Sequence, residues 1–272
     1  NFDNDEKVQG RIGYGDNLDG SNDYLAIQSI NYNSQSISEL TACSWFNTNF
    51  VGSSYNDNWA FLDFDRSEFF NVYIRGDNGA VSFSTNSGGI DDQDGTTTGL
   101  NDGSWHYACA VYDGTDKIIY VNGVEDSRVT NAHSGANLGA TSTRYGFIGD
   151  GSEATTFDGG RNDIYYEGSI DHQRYSNVAR SGDWINQSYQ LVINQNSLIS
   201  YGVVEELLPI IDVDITTPLT SVNFPVNQNR TLELNSTITC IDSGSGVGCG
   251  EINIYAQYNL TSSSFSNIST IS

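Results

Sequence analysis

The segment DGSWHYACAVYDGTDKIIYVNGVE, residues 102–125, contains β-type runs joined by two tight turns. The first turn is centred on Asp113-Gly114 and the second on Asn122-Gly123. Asn-Gly between β-type runs is typical of a type I′ hairpin, because both central residues of that turn need positive φ. The segment therefore predicts three consecutive antiparallel strands.

Side chains of a strand alternate between its two faces, so Tyr107, Cys109 and Val111 are expected on one face. The run LTACSWF, residues 40–46, alternates in the same way and places Cys43 on the face of its neighbouring odd-numbered residues. If these two strands are neighbours, Cys43 and Cys109 face the same way and can form a disulfide. The alternative is a pair of buried free thiols.

Similar short runs recur about every ten residues through the first two thirds of the chain, which is typical of an all-β sandwich or barrel. Helical periodicity is confined to residues 180–192, where Ser181 can cap the helix and Asp183 lies in its first turn. All three prolines lie after residue 208, so the sequence predicts a boundary between a domain at 1–205 and a second at 206–272.

The composition is strongly acidic, with 34 Asp plus Glu against 11 Lys plus Arg and a net charge of -23. This charge disfavours nucleic acid and anionic membranes as partners, and its many carboxylates suit Ca²⁺. No apolar run approaches the length of a membrane span. The chain contains no Met, even at position 1, so we expect it to be a processed or excised piece.

Two features predict an extracellular or cell-surface location. The first is the even number of cysteines, of which Cys240 and Cys249 flank a glycine-rich loop and can form a second disulfide. The second is the set of Asn-x-Ser/Thr sequons, four of which lie in the last 44 residues, although chance composition is the alternative. The predicted glycosylation sites are Asn186, Asn229, Asn235, Asn259 and Asn267.

With the opening segment, three further runs resemble laminin-G-like, concanavalin A-like jelly-roll domains: LDGSNDYLAI (18–27), LTACSWFNTN (40–49) and EGSIDHQRYSNVARSGDWINQSY (167–189). The resemblance covers about residues 10–190 and implies a two-sheet antiparallel jelly-roll sandwich whose first and last strands are neighbours. It specifies no single activity, because the fold occurs in lectins, adhesion modules and glycanases. The C-terminal run NSTITCIDSGSGVGCGEINIYAQYN resembles the start of an immunoglobulin-like module of archaeal and bacterial surface proteins.

Relatives with this fold often bind a structural Ca²⁺ between the entry and closing strands. The resemblance places Asp23 and Asp171 opposite each other, and Asp19 can add a further oxygen ligand. The alternative is that these carboxylates only accept backbone hydrogen bonds at strand ends.

A ligand-binding rim is expected from loops at one edge or on the concave face, at 56–61, 86–99 and 150–163. The candidate residues are Trp59, Asp91, Asp92 and Asp94, with a core position as the alternative for Trp59. A glycanase of this fold needs paired carboxylates on one strand face. Asp63 and Asp65 share that spacing, but Glu68 is out of phase. Asp212 and Asp214 also share it but fall in the presumed linker strand, so we expect no catalytic site.

Three functions are weighed on this basis. The first is a non-catalytic extracellular module for adhesion or for binding a cell-surface glycan or protein. The second is a structural subunit of a filament, sheath or surface layer, in which copies of the chain pair through exposed strands. The third, a glycoside hydrolase on the same fold, lacks a convincing carboxylate pair.

Overall fold

The structure, a computed structural model, describes residues 7–58 and 60–198, and the backbone of four strands at 210–217, 235–241, 254–258 and 266–271. The chain divides into two compact units, Asn1–Leu198 and Ile199–Ser272. The division lies a few residues before the boundary expected from the prolines.

The first unit contains a seven-stranded and a six-stranded antiparallel sheet, as the described residues show. In spatial order, the seven-stranded sheet contains β1 (Lys7–Gln9), β2 (Tyr14–Asp19), β13 (Glu167–Ser176), β4 (Leu40–Asn47), β9 (His106–Tyr112), β10 (Lys117–Val121) and β11 (Val124–Val129). The six-stranded sheet contains β3 (Leu25–Tyr32), β12 (Arg144–Ile148), β5 (Leu62–Asp63), β6 (Phe70–Ile74), β7 (Val81–Asn86) and β8 (Ile90–Asp94). The predicted all-β, two-sheet jelly-roll sandwich is confirmed.

The hairpin at Asn122-Gly123 has the predicted geometry. Val121 pairs with Val124, and both central residues have positive φ, 50° at Asn122 and 81° at Gly123. The Asn122 side chain also accepts a hydrogen bond from the backbone N–H of Tyr107, at 3.0 Å. The turn therefore fixes the β10–β11 register and is tied back to the start of β9.

The two faces of the seven-stranded sheet pack against different partners. Ala108, Ala110 and Tyr112 point into the core between the sheets. Cys109 and its neighbours of the same parity point outward, where the apolar side of a helix covers them. The helix is α1 (Gly182–Ile193), capped by Ser181 as predicted, and it is followed by α2 (Gln195–Leu198).

The disulfide between Cys43 and Cys109 is present. The two residues are direct partners in the β4–β9 ladder, and each is at most 1% exposed. The bond therefore joins two neighbouring strands beneath α1, as the alternation of side chains predicts.

The entry and closing strands are also neighbours, because β2 pairs antiparallel with β13 from Asp19–Glu167 to Asp16–Ile170. One interpretation of the sequence was wrong: residues 90–94, treated as part of a loop, form β8 at the edge of the six-stranded sheet. The cause is composition, because three of its five residues are Asp, which is rare in strands. No helix in the described part is long and apolar enough to cross a bilayer.

In the second unit, β14 (Ile210–Thr217) pairs with β15 (Asn235–Ile241), and β16 (Ile254–Tyr258) pairs with β17 (Ser266–Ile271). These two pairs do not establish an immunoglobulin-like sandwich, which stays a prediction. Cys240 lies in β15, whereas Cys249, Asn229 and Asn259 lie outside the described residues, so the second disulfide and these sequons stay predictions.

Candidate ligand-binding cleft

The three carboxylates expected to bind calcium do not converge. Asp19 pairs with Glu167, whereas Asp171 lies four residues further along β13, which is about 13 Å at the usual rise of a strand. Asp23 accepts a hydrogen bond from the backbone of Asp19 at 2.9 Å, and Asp171 accepts one from the backbone of Ile12 at 2.7 Å. In this part of the chain, these carboxylates satisfy backbone donors.

Across the described residues, no group of three or more His, Cys, Asp or Glu side chains is placed to hold a metal ion. The structure therefore does not bring Asp19, Asp23 and Asp171 together as one set of ligands, and calcium binding by this chain stays a prediction. The sequence placed them together because the entry and closing strands are neighbours, but Asp23 lies in the turn after β2, and the register between β2 and β13 separates Asp19 from Asp171.

The three aspartates of β8 do not form one cluster. Strand alternation puts Asp92 and Asp94 on the outer face of the sheet and Asp91 on the inner face. Each carboxylate lies within ion-pair distance of its own cation: Arg66 with Asp92 at 3.1 Å, Arg75 with Asp94 at 2.5 Å, and Lys117 with Asp91 at 3.5 Å. These aspartates are engaged within the protein, so they are weak candidates for ligand binding.

The buried lysine Lys117 has the most unusual environment of these cations. Its side chain is fully buried, and Nζ donates a hydrogen bond to the carbonyl of Asp91 at 2.6 Å. Burial lowers its pKa to about 8, although the nearby Asp91 carboxylate opposes that change. Because it is enclosed, Lys117 supports the edge of the sandwich and does not face a ligand.

Trp59 lies outside the described residues. The paired carboxylates considered for catalysis do not follow one strand face, because Asp65 has φ of 64° and turns the chain just after β5. Asp65 is 4% exposed and pairs with Arg144 at 2.6 Å. Asp63 is 1% exposed and accepts a hydrogen bond from the backbone N–H of Asp65. Both carboxylates therefore stabilise a turn.

A cleft that the sequence did not predict opens between the two sheets and is called here the tyrosine cleft. It has a volume of about 530 Å³. Tyr32, the last residue of β3, and Tyr175, near the end of β13, form its aromatic wall, and their hydroxyl groups hydrogen-bond to each other. The remaining lining residues are Ile30, Ser36, Ile37, Ser38, Glu39, Ser176 and Asn177.

Both tyrosines are held by other aromatic rings. Tyr32 contacts Phe64 edge-on, with ring centroids 5.1 Å apart, and Tyr175 stacks on Phe70 at 5.9 Å. Burial raises the pKa of both phenols, so both remain neutral hydrogen-bonding groups near pH 7. The wall is therefore rigid and apolar, with two hydroxyl groups at its surface.

The rim of the tyrosine cleft is polar. Glu39 is half-buried and accepts a hydrogen bond from the backbone N–H of Ala179 at 3.1 Å, which fixes one carboxylate oxygen. Ser38 and Asn177 are exposed and add hydroxyl and amide groups. An aromatic wall beside hydrogen-bonding groups suits a ligand with one apolar face and several hydroxyl groups.

Sequence reasoning missed this cleft because its residues come from two segments about 140 positions apart. The only local signal is the position of both tyrosines at strand ends followed by Ser and Asn, in NYNSQS (31–36) and RYSN (174–177). Such signals are common in a chain this rich in Ser and Asn. Only the facing of β3 and β13 across the sandwich shows that the two tyrosines meet.

Comparison with solved structures finds the same fold in several proteins. The binding domain of Paraclostridial Mosquitocidal Protein 1 aligns with a TM-score of 0.50 and 13% identity over 68% of this chain and 45% of that chain. A SAP-like pentraxin from Limulus polyphemus aligns with a TM-score of 0.48 and 15% identity, over 64% of this chain and 80% of that chain. This chain thus spans less than half the length of the mosquitocidal binding domain.

Domain 4 of AbnA, a GH43 extracellular arabinanase from Geobacillus stearothermophilus solved with arabinotriose, has a TM-score of 0.45 and 17% identity, covering 68% of this chain and 80% of that chain. At 13% identity the likeness to the mosquitocidal binding domain shows the fold alone. A comparison with curated proteins finds no match. The sequence pattern of one family, however, matches residues 19–186, which is more than half of the chain. The chain belongs to the concanavalin A-like lectin/glucanases superfamily.

Proposed function

We propose that the protein is a non-catalytic, extracellular binding module that recognises an oligosaccharide in the tyrosine cleft. The observation that carries this proposal is the pairing of Tyr32 and Tyr175 beside the polar rim that contains Glu39. Aromatic rings bind the apolar face of a sugar, and fixed carboxylate, hydroxyl and amide groups bind its hydroxyl groups. The volume of about 530 Å³ suits a ligand of about two sugar rings.

We also propose that the protein is not catalytic, and the positions of its candidate carboxylates support this. Retaining glycanases need two carboxyl groups about 5 Å apart, facing the same bond. Asp63 and Asp65, the pair with suitable spacing in the sequence, are buried in a turn and engaged by protein groups. The family includes both lectins and glucanases, and the mosquitocidal neighbour is a binding domain.

An extracellular location, also proposed, is supported by the Cys43–Cys109 disulfide, because such bonds persist in oxidising environments. Assembly into a filament or surface layer is the alternative use of the same fold. The assembly alternative predicts oligomers in sedimentation velocity whose size grows with protein concentration. The binding proposal predicts that the protein binds its ligand as a monomer.

The test is a screen of neutral oligosaccharides against the full chain, followed by titration calorimetry with the best ligand. The informative variant is Tyr32→Phe/Tyr175→Phe, which removes both hydroxyl groups together and leaves neither one unpaired. We expect at least a tenfold loss of affinity with little change in stability. The matched control is Tyr165→Phe, which removes a hydroxyl bonded to Asp163 at 2.9 Å, away from the tyrosine cleft.

Titration in EDTA and in millimolar Ca²⁺ tests the calcium prediction, which the structure does not support at Asp19, Asp23 and Asp171. Affinity that rises in Ca²⁺ would show that a metal ion takes part in ligand binding. Two results would contradict the proposed function: no binding of any oligosaccharide, or equal affinity of the wild type and the double Phe variant.

A further inference from the structure

Three arginines in the described part of the chain lack an acidic partner, and two of them line one groove. Five of the eight arginines in the described part form ion pairs with Asp or Glu: Arg66, Arg75, Arg128, Arg144 and Arg161. The other three, Arg11, Arg174 and Arg180, have no such pair among the described residues, although the chain carries a net charge of -23. All three lie over indole rings, Arg11 over Trp45 and the other two over Trp184.

Two of these arginines line a groove on the outer side of the seven-stranded sheet, called here the basic groove. It has a volume of about 440 Å³ and lies between the β1–β2 turn, β13 and the C-terminal part of α1. Arg11 contributes from the turn, and His172 and Arg174 contribute from β13. Ile12 and Leu191, each 41% exposed, form an apolar wall.

The backbone of β13 is irregular at this groove. The β4–β13 register shifts between Asp171 and Arg174, which marks a β-bulge, and His172 has φ of 52°. A non-glycine residue with positive φ is strained, and bulges often redirect a side chain at a binding site. The bulge is therefore an independent sign that β13 is shaped for more than sheet pairing.

His172 also has an unmet hydrogen-bonding requirement. Its Nε2 atom is buried and has no hydrogen-bond partner in the described part of the chain. Burial and then Arg174 lower the pKa of His172, against the opposing effect of Asp171, so the ring is neutral near pH 7. The Asp171 carboxylate is engaged by the backbone N–H of Ile12.

We propose that the basic groove binds the carboxylate of a uronate unit in an acidic oligosaccharide. Two guanidinium groups suit a carboxylate because their N–H donors match its two oxygens. The apolar wall suits the C–H face of a sugar ring, and the volume suits one or two rings. The choice of a sugar rests on the binding function proposed above, whereas the anion site does not.

Within the groove, Asp171 opposes an anionic ligand, because its carboxylate accepts a hydrogen bond from the backbone N–H of the groove residue Ile12, whereas more distant acidic groups are screened by salt. At physiological ionic strength, charges more than about 8 Å away are largely screened. The contacts proposed to decide binding are those of the Arg11 and Arg174 guanidinium groups, because both residues line the groove. Affinity should consequently fall when NaCl is raised well above physiological concentration.

The experiment measures binding of trigalacturonate to the full chain by titration calorimetry. Arg174→Gln and Arg11→Gln should each weaken binding at least tenfold. The control Arg128→Gln, at an arginine already paired with Asp116 and Glu125, should leave affinity unchanged. Both groove arginines are exposed, so the variants should keep the far-ultraviolet circular dichroism spectrum of the wild type.

A trisaccharide whose carboxylates are reduced to hydroxymethyl groups should not bind in the basic groove. Equal affinity for it, unchanged binding by Arg174→Gln, or no binding of trigalacturonate would overturn the proposal. A tetraglutamate peptide that binds as tightly as trigalacturonate would overturn the sugar assignment. Because Tyr32→Phe/Tyr175→Phe should leave trigalacturonate binding unchanged, a failure of the tyrosine cleft is distinguished from a failure of the groove.

Discussion

Removing the Cys43–Cys109 disulfide should strongly destabilise the first unit. The two cysteines are 66 residues apart in sequence, so the bond closes a long loop in the unfolded chain. The chain-entropy relation gives about 4 kcal/mol for a loop of this length at room temperature. That is a large fraction of the 5 to 15 kcal/mol roughly expected for a folded domain.

The change is best made in two steps, because replacing the cysteines also removes two buried sulfur atoms. Reduced wild-type protein has lost the cross-link but keeps both sulfurs. The difference in unfolding free energy between oxidised and reduced wild type therefore measures the contribution of loop closure alone. Cys43→Ala/Cys109→Ala should lose about 1 kcal/mol more per sulfur, comparable with a buried methylene group. Since each cysteine is at most 1% exposed, reduction should require prior unfolding in denaturant.

Urea unfolding followed by tryptophan fluorescence is a suitable assay, because all four tryptophans precede residue 185 and report on the first unit. Reduction of Cys240 and Cys249, in the second unit, should not affect that signal directly. We also expect a larger dependence of the unfolding free energy on urea without the cross-link, since the unfolded chain exposes more surface. A difference below about 1 kcal/mol between oxidised and reduced wild type would refute the loop-closure reasoning.

Three further changes test single buried or strained positions. Burial raises the pKa of Asp150 to about 6, so its ionisation destabilises the fold as pH rises. Asp150→Asn should gain about 2 kcal/mol over the wild type between pH 4 and pH 7, measured by urea unfolding. Burial lowers the pKa of Lys117 to about 8, so wild-type stability should rise by about 2 to 3 kcal/mol from pH 8 to pH 10 relative to Lys117→Met. Gly123→Ala should cost more than about 1 kcal/mol in thermal unfolding, because φ is 81° and the new Cβ would lie 3.0 Å from Tyr189.

Each of these changes has its own control. For the two pH experiments the difference between wild type and variant is measured at every pH, which cancels the titration of all other groups, and parallel curves would contradict the predicted pKa values. For Gly123 the control is Gly99→Ala, because φ is 73° there and no atom lies within 4 Å of the added Cβ. Equal losses at both glycines would mean that contact with α1 contributes nothing.

The features of this protein that were predicted correctly depend on residues that are close together in the sequence. Turn residues and strand alternation predicted the Asn122-Gly123 hairpin, the outward face of Cys109 and the cap at Ser181. The backbone conformation that each turn residue prefers, and the alternation of side chains between the two faces of a strand, are enough to specify these features. The disulfide followed from the same alternation once β4 and β9 were taken as neighbours.

The distances between the expected calcium residues could not be predicted from local patterns. Knowing that β2 and β13 are neighbours did not fix their register, which places Asp171 four positions beyond the partner of Asp19. The aspartates of β8 were similarly read as one cluster, whereas their alternation on a strand sends Asp91 to the opposite face from Asp92. In both cases the residues are of types that can bind a cation or a ligand, but the backbone geometry holds their side chains apart.

The sequence by itself determined that this chain folds as a two-sheet β-sandwich with a helix after its closing strand, because period, turns and caps are local properties. Only the tertiary structure decided where a ligand can bind. Tyr32 meets Tyr175, and Arg11 lies near Arg174, because distant strands and turns are brought together by sheet packing, strand register and a bulge in β13. These depend on the packing of the whole sandwich, which no short segment encodes.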